Sequence, residues 1–115
     1  MKEHSVRALF FAQKLQEIGQ NVVYPGLPNH PDYDLFTSIA HSEYGFGGLF
    51  TLNIGSSETA HKLMDLLQND YRFSCIAVSL WYFETLMSCS KSSTSSEMGE
   101  DAQREAGISP SLVRI

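Results

Sequence analysis

The stretch Leu49-Phe50-Thr51-Leu52-Asn53-Ile54-Gly55-Ser56-Ser57-Glu58-Thr59-Ala60-His61-Lys62-Leu63-Met64 decides the fold. Leu49 to Ile54 alternates well enough for a half-buried strand. Ser56 or Ser57 can cap the helix that follows, because a serine hydroxyl accepts from an N–H left open at a helix start. Ala60, Leu63, Met64 and Leu67 then fall on one helical face. A strand running straight into a helix is a building unit of layered α/β structure.

Toward the N-terminus, Leu9, Phe10, Leu15 and Ile18 fall near helical spacing and predict an amphipathic helix from Ser5 to Gly19, with Gly19 as its terminator. Val22, Val23 and Tyr24 form a β-prone run that Pro25 must end. Pro25-Gly26-Leu27-Pro28-Asn29-His30-Pro31 excludes helix and favours a rigid, extended loop. Tyr33 to His41 suits a short helix, and the glycines of Gly45-Phe46-Gly47-Gly48 let the chain bend sharply.

Toward the C-terminus, Cys75-Ile76-Ala77-Val78-Ser79-Leu80 is a third strand candidate, and Ser88 to Ser96 reads as a Ser-rich irregular stretch. Glu100 to Ala106 is a short helix stopped by Gly107, and Leu112-Val113-Arg114-Ile115 is a fourth β-prone run. Strands interleaved with helices imply an α/β (α+β sandwich) domain over residues 1–115, with one small mixed or antiparallel sheet and helices packed on it.

A chain of 115 residues has room for one ordinary domain. Its 8 basic residues against 13 acidic ones give a net charge of -5, which leaves no basic footprint for nucleic acid or an anionic membrane surface. No apolar run is long enough to span a bilayer, and Met1-Lys2-Glu3-His4-Ser5 lacks the apolar core of a signal peptide, so a cytoplasmic setting is expected. Cys75 and Cys89 form no CxxC pair and are read as reduced, structural thiols.

Most candidate chemistry falls away on inspection. His4, His30, His41 and His61 stand far apart in unlike settings, without the clustering that zinc requires. No GxSxG elbow presents a serine nucleophile. Gly45-Phe46-Gly47-Gly48 precedes a strand, whereas phosphate-binding glycine loops open a helix, so a plain turn is the better reading. The Ser-rich stretch reads equally as a solvated loop or a phosphorylation target. Arg114 differs in kind. A fork of donors among apolar neighbours on a terminal strand needs a carboxylate partner or an anionic ligand, and on the residues alone the structural salt bridge is the more ordinary outcome.

Val23-Tyr24-Pro25-Gly26-Leu27-Pro28-Asn29-His30-Pro31, Tyr44-Gly45-Phe46-Gly47-Gly48, Ala77-Val78-Ser79-Leu80, Glu84-Thr85-Leu86 and Gly107-Ile108-Ser109-Pro110-Ser111-Leu112-Val113-Arg114, in this order and spacing, resemble the C-terminal domain of the Cys/Met-metabolism family of pyridoxal-phosphate enzymes. That family includes cystathionine synthases and lyases and methionine γ-lyases. The run from Glu84 to Ser90 with Ser92-Ser93-Thr94-Ser95-Ser96 looks most like its plant methionine γ-lyase branch.

The resemblance implies a homotetrameric lyase acting on a sulfur amino acid, with pyridoxal 5'-phosphate held through a lysine of a larger N-terminal domain. Residues 1–115 are then its C-terminal domain, with the cofactor domain and a final helix lying outside them. The lysines here are 2, 14, 62 and 91; Lys91 follows a serine, as the family's catalytic lysine can, but stands where relatives carry a small residue. No catalytic residue is therefore assigned, and the chain is expected to be inactive alone. Arg114 matches the Leu-Val-Arg arginine that grips the substrate α-carboxylate, Ser79 the serine beside that carboxylate, and Thr94 a threonine near the substrate pocket.

Val78, apolar where cystathionine γ-lyases tend to be acidic, suits a thioether substrate. The implied reaction is γ-elimination of L-methionine to methanethiol, ammonia and 2-oxobutanoate. Trp81 stands where relatives have glycine, so its indole would crowd the pocket or alter the turn. The alternatives are a non-catalytic remnant of such an enzyme, cystathionine γ-synthase or lyase activity in the full-length parent, and a small ligand-binding regulatory module.

Overall fold

Ser56 opens its helix as the sequence requires. In the computed structural model, which describes residues 1–79 and 82–115, the Ser56 hydroxyl accepts from the Thr59 N–H at 3.1 Å. The helix so capped, Ser57–Asp65, is preceded by the strand Thr51–Asn53. Replacing Ser56 by alanine is expected to lower stability by about 1 kcal/mol, read as a shift of the urea midpoint with an unchanged slope.

The elements in chain order are α1 (Lys2–Glu17), β1 (Asn21–Val23), α2 (Tyr33–Ile39), β2 (Thr51–Asn53), α3 (Ser57–Asp65), a π turn (Leu66–Asp70), β3 (Cys75–Ile76), β4 (Leu86–Cys89), α4 (Glu100–Glu105) and β5 (Leu112–Arg114). Within Asn53–Ile115, hydrogen bonding orders the strands β5-β4-β3. β3 runs parallel to β4, and β4 antiparallel to β5, so the sheet is mixed, one of the two forms expected from the interleaved strands and helices. No helix among the described residues is long and apolar enough to cross a membrane. The chain divides into two compact units, Met1–Leu52 and Asn53–Ile115.

In the first unit α1 ends in a Schellman motif: Gly19 at φ +80° donates to Gln16 O and Gln20 donates to Leu15 O, both at 2.9 Å. The helix buries a different face from the one its large residues suggest. Ser5, Ala8 and Ala12 are inside, while Phe10 and Ile18 are 56% and 71% exposed. Small side chains at helical spacing let other backbone segments come close to the helix, and that geometry outweighs the larger side chains' preference.

The proline loop differs from the extended form expected of it. Leu27 N–H bonds Tyr24 O at 3.0 Å, His30 N–H bonds Leu27 O at 2.9 Å, and Tyr33 N–H bonds His30 O at 3.1 Å. These are three successive reverse turns, with Pro25, Pro28 and Pro31 each at the second position, which fixes φ where the turn needs it. Phe46 from the glycine turn stacks on Tyr33 and Phe36 at 5.5 and 5.4 Å. Tyr24 OH donates to Gly47 O at 2.8 Å, and Ser5 Oγ accepts from Gly47 N–H at 2.8 Å. The bend at Gly45–Gly48 is thereby fixed to α1 and to the end of β1, and burial pushes the Tyr24 phenol above its ordinary range.

In the second unit Ala60 and Met64 of α3 pack on Met87 and Cys89 of β4 and Val113 of β5, with Ile54, Leu67 and Ile115 at the margins. Two expectations need correction here. The third strand, Cys75–Ile76, is shorter than predicted, although Ala77 N–H still reaches Met87 O at 3.1 Å, and its Leu80 end lies outside the described residues, as does Trp81. The stretch read as irregular from Ser88 contributes Ser88 and Cys89 to β4, a fifth strand. Met87 and Cys89 alternate with Ser88, a period of two that the surrounding serines obscure. α4 closes on a second Schellman motif, with Gly107 at φ +71° and Ile108 N–H on Gln103 O at 2.8 Å.

Candidate functional site

Arg114 lies on β5 directly opposite Ser88 of β4, one register step from the pair Cys89 and Val113. Cys89 and Val113 turn toward α3. Strand alternation therefore puts Ser88 and Arg114 together on the other face. On the far side of β4, the ladder bond from Ala77 to Met87 carries the third strand's direction on to the level of Ser88. Arg114, Ser88 and Ala77 thus form a row across three strands, spanning about 10 Å at ordinary strand spacing.

Ser79 follows two residues beyond that row and is half-buried, next to an exposed Val78. Arg114 is half-buried too. Among the described residues the ion pairs are Lys14 with Glu17, Lys91 with Glu100 and Arg104 with Asp101, and none includes Arg114. The carboxylate partner that would make it a structural salt bridge is not provided by the described residues.

Thr94 lies off the row. It is exposed in the multiple turn that follows β4. The neighbouring hydroxyls there are spent on the turn's own backbone: Ser93 Oγ donates to Cys89 O at 2.6 Å and Ser96 Oγ to Ser93 O at 3.0 Å. Ser88 is the residue that sequence reading misses, because only the register of β4 against β5 sets it beside Arg114.

The remaining polar groups have local duties. His30 Nδ1 accepts from Asp32 N–H at 3.1 Å, His41 Nδ1 accepts from Glu43 N–H at 3.3 Å, and His61 Nδ1 contacts Ser57 O at 2.7 Å. Gly47 N–H, which a phosphate cradle would need, is taken by Ser5. A cleft of about 420 Å³ beside α4 is lined by Lys91, Glu100, Gln103 and Arg104, and both of its cations are already paired. Cys75 Sγ sits 3.5 Å from Glu84 Oε2. Desolvation, then that carboxylate's hydrogen bond and charge, push the thiol above its ordinary value, the opposite of the shift that activates a nucleophilic cysteine.

None of the lysines suits a covalent cofactor link. Lys2, Lys14 and Lys62 are exposed, and Lys91 is held at 3.1 Å by Glu100. A Schiff-base amine needs the opposite surroundings, since desolvation is what lowers its pKa and frees its lone pair.

The model of the family described as Cys/Met metabolism PLP-dependent enzyme matches residues 1–115. Methionine γ-lyase of Arabidopsis thaliana is 50% identical over 115 residues, which is 100% of this chain and 26% of the relative. Cystathionine γ-lyase of Bacillus subtilis is 32% identical over 96 residues, covering 84% of this chain and 24% of the relative. The chain thus spans about a quarter of the length of the curated relatives it matches.

Among solved structures, a Campylobacter jejuni protein described as an O-acetylhomoserine (thiol)-lyase, with a pyridoxyl-lysine phosphate, superposes with a TM-score of 0.85 at 25% identity, over 96% of this chain and 26% of that one. Cystathionine γ-synthase of Xanthomonas oryzae, in complex with aminoacrylate and cysteine, gives 0.79 at 28% identity, over 96% of this chain and 28% of that one.

Proposed function

The chain belongs to the Cys/Met metabolism PLP-dependent enzyme family, and from that membership we propose that it supplies the substrate-carboxylate half of the active site of a methionine γ-lyase-type enzyme. The observation that carries this reading is Arg114: a half-buried guanidinium on β5 with no carboxylate partner among the described residues. A planar fork binds an amino acid's α-carboxylate through two parallel hydrogen bonds, which fix orientation as well as charge. Ser79 adds a hydrogen bond at the same end of the sheet, while Thr94, exposed in the turn after β4, is supported only by its match to a threonine near the family's substrate pocket. Val78 gives an apolar wall suited to a thioether.

Pyridoxal phosphate, when bound in such an enzyme, is the electron sink for proton removal and loss of the thiol. This chain's lysines do not fit the cofactor link, so the cofactor site is assigned to a region outside these 115 residues, in a homotetrameric, cytoplasmic parent. The same lysines favour a second reading, a chain with no catalysis of its own.

The test exchanges these 115 residues for the matching stretch of Arabidopsis methionine γ-lyase, both as they stand and with Trp81→Gly. Release of 2-oxobutanoate from L-methionine by either hybrid supports the reading. It is overturned if both hybrids fold and bind pyridoxal phosphate yet show no change in cofactor absorbance with L-methionine.

A further inference from the structure

The strand pair that carries Arg114 also holds a polar atom without a partner. Ser88 is 2% exposed, and its buried Oγ makes no hydrogen bond among the described residues. The other buried serines differ: Ser5 Oγ donates to Tyr44 O, Ser74 Oγ to Met87 Sδ and Ser111 Oγ to Asn53 Oδ1. Folded proteins seldom leave a buried hydroxyl unmatched, since its desolvation is then uncompensated.

Sheet geometry says which group can match it. Ser90 N–H bonds Leu112 O at 3.3 Å, so by alternation Ser88 and Arg114 form a hydrogen-bonded register pair, with Cα atoms about 5.5 Å apart. Both side chains rise from the face opposite Met87, Cys89 and Val113. An arginine that grips a carboxylate end-on spends its two Nη groups on the anion. Its Nε–H is left on the side nearest the strand, a few bonds past Cβ and within reach of a hydroxyl on the paired residue.

We propose that Ser88 is a positioning residue for Arg114, its buried Oγ accepting a hydrogen bond from the Arg114 Nε–H in the substrate-bound enzyme and so fixing the plane of the guanidinium. This rests on the reading of Arg114 as the carboxylate clamp. A neutral acceptor suits this role, because it orients the fork without neutralising the charge that the substrate needs. The flexible arginine stem is thereby held in one pose before the anion arrives, which lowers the ordering cost of binding.

The test uses the pyridoxal-phosphate-loaded hybrid enzyme, with Trp81→Gly if that form is the active one, and L-methionine as substrate. It compares Ser88→Ala, Ser88→Thr, Arg114→Ala and the double variant Ser88→Ala with Arg114→Ala. Ser88→Ala is expected to raise KM about tenfold with kcat within about twofold, the size of one lost hydrogen bond to a charged group. Its melting temperature stays level or rises, because an unmatched hydroxyl is gone. Ser88→Thr keeps the hydroxyl and recovers most of the affinity.

On the Arg114→Ala background the Ser88 change is expected to add nothing. A KM unmoved by Ser88→Ala but raised by Arg114→Ala overturns the positioning role and leaves the clamp standing. Equal KM effects of Ser88→Ala on both backgrounds overturn it as well, since the hydroxyl then acts without Arg114. A KM unmoved by Arg114→Ala overturns the clamp and the inference together.

Discussion

Arg114→Ala in the hybrid enzyme is expected to raise KM for L-methionine by about 100-fold, because truncating one partner of a hydrogen-bonded charge pair costs roughly 2–5 kcal/mol and 1.4 kcal/mol is a factor of about ten. The magnitude separates two roles for this side chain. An exposed structural ion pair is worth at most about 1 kcal/mol, so its removal would leave KM nearly unchanged. Arg114→Lys is expected to fall between the two, since a lysine keeps the charge and loses the two parallel donors. L-methionine amide, which lacks the carboxylate, serves as the internal control. Discrimination between acid and amide should collapse in Arg114→Ala, and a discrimination ratio that survives the substitution would sink the assignment.

Met87→Ala is expected to destabilise the second unit by about 2–5 kcal/mol, the cost of a cavity left by a buried thioether. Met87 has 0% exposure and sits among Ala60, Met64, Cys89 and Val113. Its Sδ also accepts the Ser74 hydroxyl at 3.1 Å, so the truncation leaves that buried hydroxyl unmatched as well. With a urea slope of about 1–3 kcal/mol/M, the midpoint of the transition should fall by about 1–2 M. Phe10→Ala removes a larger side chain from an exposed face of α1 and should move stability by no more than about 0.5 kcal/mol. A Phe10 variant as damaging as the Met87 one would contradict the buried face assigned to α1.

The features legible in the chain follow local rules. The Ser56 cap, the helix stops at Gly19 and Gly107 and the pairing of Ala60 with Met64 on one face of α3 depend on neighbours a few residues away, and all are present. The differences between expectation and structure arise where packing, or a second local preference, overrides the most conspicuous local signal. Large apolar residues point to one face of α1, yet Ser5, Ala8 and Ala12 are the ones inside. Three prolines exclude helix from the loop after β1, but each also favours a reverse turn, and the turns are what form. Ser88 and Cys89 sit in serine-rich surroundings, whose composition conceals the two-residue alternation of β4.

By itself, then, the sequence determined the family, the α/β architecture and the identity of Arg114 as the basic residue of the terminal β-prone run. Each rests on residues whose meaning is carried by type and local spacing. Only the tertiary structure decided what stands next to Arg114. Ser88 and Arg114 are far apart along the chain, and their adjacency comes from the register of β4 against β5, where a slip of one residue would turn either side chain to the opposite face.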